Sequence, residues 1–254
     1  MAIPDKSLQS RYEQNGFLTD IDVLESDEVD EMRQKFNEME RTVPVEQRQI
    51  DLHARHLEDE FVWNLATDPR VLSVIESIAG PNLLLLGTHF FNKQPNPSAA
   101  AYVAWHQDVT YWGLEPAEAH SAWIAIDDSD RENGCMKVLP RSHRQGVKLH
   151  STAERQGNLL SINQEIPDDH LDTIGAIDLN LRAGQMSVHH GMLVHSSNPN
   201  QSDRRRCGLV ARYISTAVRQ VQPDSYGLYH KPVLVRGQDR YQHFPKNKAP
   251  FSIT

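Results

Sequence analysis

The chain has 254 residues, 39 % hydrophobic and 24 % charged, with 26 basic against 34 acidic side chains and a net charge of −8. That length buries a sizeable core. The acidic balance excludes general nucleic-acid or anionic-membrane binding, since both need a basic field. No apolar run approaches the roughly 20 residues that cross a bilayer, and Met1-Ala2-Ile3-Pro4-Asp5-Lys6 has no apolar stretch of the signal-peptide kind. Cys135 and Cys207 lie far apart, outside any metal-binding spacing. Both are expected reduced and buried in strands, as in a cytoplasmic protein.

The first 80 or so residues read as helical. Val29, Met32, Phe36 and Met39 recur at helical spacing behind early acidic residues. In a second helix Asp68 is the N-cap, Pro69 takes the first position, and Val71, Leu72, Ile75 and Ile78 form one face before Gly80-Pro81 stops it. The segment Ile50–His56 between them has no assignable pattern. After Pro81, short apolar runs alternate with turns: 83–94, 103–112, 121–126, 136–139, 186–196 and 207–215. This pattern marks an antiparallel β sandwich or jelly roll. Asn96-Pro97-Ser98 and 127–134 read as turns, and polar residues 151–176 as an insertion over one end of the barrel. The whole, 1–254, reads as one catalytic domain: a helical part to about 80, a jelly-roll core at about 81–216 and a tail at 217–254.

Of the 13 histidines, a few have spacing that suggests chemistry, histidine being the commonest metal ligand. On a strand, residues i and i+2 share a face, so in Trp105-His106-Gln107-Asp108 the imidazole and carboxylate stand side by side. Gly191-Met192-Leu193-Val194-His195 brings another histidine at the end of a later apolar run. Two histidines and one carboxylate leave three positions open on a metal, which suits non-haem iron(II) with a bidentate cosubstrate and O2. Arginines follow in Arg204-Arg205-Arg206, before Cys207–Ser215. A guanidinium pairs bidentately with a carboxylate such as the far end of 2-oxoglutarate, but strand parity does not separate Arg206 from Arg204. Two of the three are expected on the solvated surface.

His106-Gln107-Asp108, Trp123, Glu132-Asn133-Gly134-Cys135-Met136, Leu139-Pro140-Arg141-Ser142-His143 and the early Tyr12-x-x-Asn15-Gly16-Phe17 together resemble the phytanoyl-CoA dioxygenase-like family of Fe(II)/2-oxoglutarate oxygenases, over most of residues 10–215. The resemblance implies a mainly β fold: a double-stranded β-helix, the cupin-like jelly roll, with N-terminal helices packed outside. It implies iron on His106, Asp108 and His195, with 2-oxoglutarate on Arg206, eleven residues past His195, assisted by Ser197. It places Trp123 in the same pocket and, less directly, Gln107 and Lys93. The implied reaction is hydroxylation of a small organic molecule by O2, with 2-oxoglutarate decarboxylated to succinate and CO2. Halogenating members lack the metal carboxylate, so the presence of Asp108 favours hydroxylation over halogenation. Where the family usually has Pro-Gly-Ser-His, this chain has Pro140-Arg141-Ser142-His143, a turn expected to lie away from the ligands.

Two other classes fit parts of the pattern: a zinc hydrolase on the same His/Asp/His set, which gives Arg206 and Ser197 no task, and a non-catalytic cupin-like binding protein. Tyr102, Thr110 and Trp112 are expected to line the pocket by parity. Of His189-His190, one could face the pocket by alternation, but packing is the favoured reading, and His53, His56, His89 and His120 are possible pocket residues with no discriminating signal. Arg212 shares a face with Arg206, and either a structural ion pair or an anionic substrate would explain it. The basic, aromatic stretch 229–248 is expected near the pocket mouth. Substrate identity and oligomeric state have no signal in the sequence.

Overall fold

The structure is a computed structural model describing residues 6–44, 52–95, 101–153, 155–160 and 162–253. The expected turn at Asn96-Pro97-Ser98, and Ile50-Asp51, fall outside the described residues. In chain order the elements are α1 (Lys6–Asn15), β1 (Phe17–Asp22), α2 (Ser26–Thr42), α3 (Glu60–Ala66), α4 (Pro69–Ala79), β2 (Leu83–Lys93), β3 (Val103–His106), β4 (Leu114–Glu115), β5 (His120–Ala125), β6 (Met136–Val138), β7 (Ser151–Thr152), β8 (Gln164–Glu165), β9 (Ile177–Leu179), β10 (Gln185–His190), β11 (His195–Ser197), β12 (Arg206–Ser215), β13 (Arg219–Gln220) and β14 (Val233–Arg236).

The α4 signals act as read. The Asp68 carboxylate accepts from the Arg70 amide at 2.7 Å, Pro69 leads the first turn, and Gly80 ends the helix at φ +88°. The strands form a six-stranded antiparallel sheet, β1-β10-β5-β12-β2-β14, and a four-stranded one, β3-β11-β6-β9. This mainly β architecture, with helices packed outside, matches the expected class. Phe36, Trp63, Val71, Leu72 and Ile75, from α2, α3 and α4, are buried in one core with Leu83, Leu85, Ile124, Met186, Val188, Leu209 and Tyr213. The helices thus cover the outer face of the large sheet. Residues of opposite parity, Trp123, Val210 and Phe91, form a separate cluster on its inner face with Met136 of the small sheet.

Some expectations need correction. The N-terminal part is not all helix: β1 pairs with β10 and forms one edge of the large sheet. The tail adds to the core, because β14 pairs with β2 at the opposite edge and Phe244 is buried against Leu84 and Ile214. The run 103–112 is not one strand: β3 stops at His106, and Asp108–Tyr111 form a 3-10 turn. Parity therefore fails beyond His106. Residues 151–176 lie along the free edge of β3, where the Ile166 amide donates to the Trp105 carbonyl (2.7 Å) and the Tyr102 amide to the Gly157 carbonyl (3.0 Å). A covered edge is protected from pairing with other chains.

The run 186–196 also divides. β10 belongs to the large sheet and β11 to the small one, and the chain crosses between them at Gly191-Met192. The Gly191 carbonyl accepts from the Val109 amide (3.2 Å), and its amide donates to the Ala119 carbonyl (2.8 Å). A Cβ at Gly191 would come within 2.3 Å of Val109 Cγ1. Gly191→Ala is therefore expected to cost about 1–3 kcal/mol by overpacking, read as a lower midpoint in urea. Wild-type stability for this variant would show that the crossing has slack.

Candidate metal centre

Strand pairing builds the centre. In the antiparallel register of β11 against β3, His195 stands directly opposite His106, and the ring centroids are 4.1 Å apart. Each imidazole is fixed by its own backbone: Nδ1 of His106 bonds the Ala104 carbonyl and Nδ1 of His195 the Leu193 carbonyl, both at 2.9 Å. A proton held on Nδ1 leaves Nε2 as a lone-pair donor, the tautomer that metal-binding histidines are given by such outer contacts. The 3-10 turn then swings Asp108 inward. Ligand atoms of His106, Asp108 and His195 all lie within 4.8 Å of one another, and all three residues are buried.

Asp108 is braced on two sides. Its Oδ2 accepts from Ser121 Oγ at 3.0 Å and lies 3.4 Å from His189 Nε2, while Oδ1 lies 3.4 Å from His106 Nε2. Burial alone would raise its pKa. The adjacent His106 and His189, with the Arg212 charge, hold the carboxyl well below its usual value. Burial, with His106 and His189 nearby, pushes His195 well down, so both groups stay in the state that binds a cation.

A second group occupies the other end of the same pocket. Arg206, opposite Lys93 across β12 and β2, is buried. Its guanidinium donates to the Gly134 carbonyl from Nε (3.1 Å) and Nη2 (2.8 Å), and reaches Ser197 Oγ at 3.4 Å. Lys93 Nζ donates to Ser197 Oγ at 2.6 Å and to the Asn198 carbonyl. Burial lowers Arg206 to about 10. Burial and the neighbouring Arg206 charge hold Lys93 well below its usual value. Among the described residues neither cation has a carboxylate within ion-pair distance. Trp123 packs beneath Arg206 at 5.4 Å, in space that only Gly208 leaves, since a Cβ there would meet the indole at 2.2 Å.

The arginine triplet resolves on this geometry. Arg204 is exposed and paired with Asp130 (2.8 Å) and Glu132 (3.3 Å). Arg205, expected at the solvated surface, is instead half-buried, bonded to Asp127 at 2.7 Å and stacked 5.2 Å above Phe36. The pocket collects His106, Asp108, His195, Ser197, Trp123 and Arg206, with Lys93 behind Ser197. Gln107 does not join them. Its amide group donates to the Gly146 and Met192 carbonyls and accepts from the Lys148 amide, because the residue after His106 on an extended chain faces the other way. Tyr102 also turns out, against Arg155, and Val103 lines the wall instead. The turn at Arg141 is close, not remote: Arg141 itself takes the left-handed conformation (φ +70°), and Ser142 Oγ accepts from the Val194 amide, next to His195. His189, Phe91, Met136 and Val210 are further wall residues. Alternation from His195 does not reach His189, because the sheet crossing intervenes.

The phytanoyl-CoA dioxygenase family model matches residues 12–208. The chain belongs to that family. It is a non-haem oxygenase, and His106, Asp108 and His195 are the group that could hold its metal. The human peroxisomal phytanoyl-CoA dioxygenase is 23 % identical over 251 residues, covering 87 % of this chain and 74 % of its own. The solved non-haem monooxygenase ThoJ is 28 % identical at a TM-score of 0.78, covering 96 % of this chain and 89 % of its own. The 2-oxoglutarate-dependent epimerase SnoN of nogalamycin biosynthesis is 25 % identical at 0.67, covering 85 % and 84 %. Among the described residues no helix is long and apolar enough to cross a membrane.

Two other histidines make the fold sensitive to acid. Burial lowers His56 and His190 to about 4, with neighbouring histidines adding to the effect at His190. Unfolded, each would titrate near 6.5. Between about pH 6.5 and 4 the unfolded chain binds the extra protons, so stability falls as pH falls, by up to about 1.4 kcal/mol per pH unit for each histidine. Urea midpoints of the metal-free protein at pH 7.5, 6 and 5 should decline accordingly. A flat profile would show that these histidines are not held neutral.

Proposed function

We propose that His106, Asp108 and His195 hold iron(II), that Arg206 and Ser197 receive the distal carboxylate of 2-oxoglutarate, and that the enzyme hydroxylates a small organic substrate. The observation that carries this reading is the buried Arg206 guanidinium, with Lys93 beside it and no carboxylate within ion-pair distance among the described residues, in the pocket that contains the His/Asp/His set. Buried charge without a counter-charge is costly. An incoming carboxylate removes that cost, and a metal-bound 2-oxo acid brings one. The same feature weighs against a zinc hydrolase, which has no use for an anion receptor there.

When bound, iron and 2-oxoglutarate supply the oxidising chemistry, in which O2 is consumed and succinate and CO2 are released. The chain's own residues position and shield. Nε2 of His106 and of His195 and the Asp108 carboxylate would hold the metal, a donor set that suits non-haem iron(II). Because Lys93 Nζ donates to Ser197 Oγ, the serine keeps its own proton for the ligand carboxylate. Arg206 adds a planar fork, roughly twice as strong as a neutral hydrogen bond. Trp123, Phe91, Val103, Met136 and Val210 give the pocket an apolar wall that excludes water and strengthens these contacts. Asp108 fills the position that a halide would need, which supports hydroxylation as the outcome.

Arg206→Met should raise the 2-oxoglutarate concentration needed for half-saturation by at least about tenfold, or roughly 1.4 kcal/mol, with iron affinity little changed. Arg204→Met should behave as wild type. Anaerobic titration, following the visible band of the iron–2-oxoglutarate chelate, measures both, and the opposite ranking would move the role to Arg204.

His195→Ala and Asp108→Gly should each lose tight iron(II) binding in metal analysis of the dialysed protein. Wild-type iron content and succinate formation in either variant would remove that residue from the metal.

A further inference from the structure

Arg212 stands on β12 six residues beyond Arg206, beside Asp108 in the pocket wall. Opposite it across β5 is Ser121, the residue that bonds Asp108. The metal ligands therefore lie between two arginines, one at each end of the pocket. Arg206 has an occupant in the reading above. A 2-oxoglutarate has two ends, one at the metal and one at Arg206, and nothing remains for Arg212.

The guanidinium of Arg212 is not used structurally. Among the described residues no carboxylate lies within ion-pair distance, Nε is buried without a hydrogen-bond partner, and the contact that holds the group is the Trp112 ring at 5.4 Å. The expected structural ion pair is absent among the described residues. Arg212 is half-buried while the strand residues before it are buried, and it lines the pocket. Burial keeps its pKa below the ordinary arginine value, with Asp108 partly opposing. Around it the groups are flat and uncharged or weakly basic. His53 stacks on His89 at 4.1 Å and His89 on Phe91 at 4.3 Å. His53 and His230 both lie close enough to be held down partly by the Arg212 charge, after burial. Asp108 is the nearby acid, and bound metal would neutralise it.

A buried cation facing a cavity, flanked by a ladder of rings, is complementary to a small oxyanion attached to a flat or apolar body. We propose that Arg212 is the substrate-anchoring residue, and that the substrate carries a carboxylate or phosphonate whose adjoining carbon skeleton lies against His53, His89 and Phe91. This rests on the iron and 2-oxoglutarate reading of the same pocket. The anchor places the substrate across the metal ligands from Arg206, so the anion fixes which carbon faces the centre.

The test uses the iron- and 2-oxoglutarate-loaded protein without O2, titrated calorimetrically with phenylacetate, benzylphosphonate and the neutral isostere phenylacetamide. One or both anions should bind at least about tenfold tighter than the amide, and which of the two does so distinguishes carboxylate from phosphonate. Arg212→Gln should abolish that preference, Arg212→Lys should keep part of it, and both should titrate with 2-oxoglutarate within about twofold of wild type. The proposal is overturned if wild type does not favour the anions or binds none of the probes. It is also overturned if Arg212→Gln keeps the preference, or if the Arg212 variants lose 2-oxoglutarate affinity instead. A wild-type protein with no iron–2-oxoglutarate band at all is a different result, and it fails the reading of the site itself.

Discussion

The pairing of β11 with β3, which sets His195 opposite His106, is the constraint on which the rest of this structure depends. A shift of one residue would turn one of the two imidazoles to the other face of the sheet. Several unrelated contacts hold the register. β6 flanks β11 on its far side and pairs Val138 with His195. Ser142 takes the Val194 amide, and residues 151–176 bond along the open edge of β3. The 3-10 turn after His106 is tied back to Gly191, so the carboxylate and the second histidine are positioned by one local crossing. The small sheet alone supplies the two histidines of the candidate centre, and the carboxylate depends on the joint between the sheets.

Electrostatics in the pocket follow from burial without compensation. In most interiors a buried charge is matched by a partner. Among the described residues Arg206, Lys93 and Arg212 are enclosed or half-enclosed with no carboxylate within ion-pair distance, while Asp108 is surrounded by imidazoles. Such an arrangement lowers the stability of the empty protein, and a cation at the centre with anions at the ends would relieve it. Arg204 and Arg205, adjacent in the chain, are fully paired, so the imbalance is local to the pocket and not a property of a basic segment.

Much of this was legible from residue order. The helix at 69–79 and the β-rich core follow from spacing and capping that local physics enforces, and the grouping of His106, Asp108 and His195 in one pocket was expected from the family resemblance. The misreadings have a common cause, because apolar runs record burial and not sheet membership. Met186 to Ser196 reads as one strand, yet Gly191 passes it between two sheets. Val103 to Trp112 reads as one strand, yet it ends where Asp108 must turn inward. Phe17–Asp22 is too short and too polar to stand out, since one face lies at an edge. Gln107 was assigned to the cofactor by analogy although strand alternation already pointed it away. The choice between Arg204 and Arg206 had no local signal: both share a face, and acids at 130 and 132, distant in sequence, capture one of them.

The position of β2 has a consequence for synthesis. Residues 83–93 lie inside the large sheet, between β12 and β14, and both neighbours are encoded after residue 205. A ribosome-bound chain therefore carries Leu83-Leu84-Leu85-Leu86 with two unpaired edges for more than a hundred further residues. Non-local pairing of this kind is slow and exposes strands that aggregate. The helices made before β2 can cover one of its faces early, but neither edge. Truncated chains ending before β12 are thus expected to need a chaperone to stay soluble, and the ribosome's own pace sets how long every full-length molecule passes through that state.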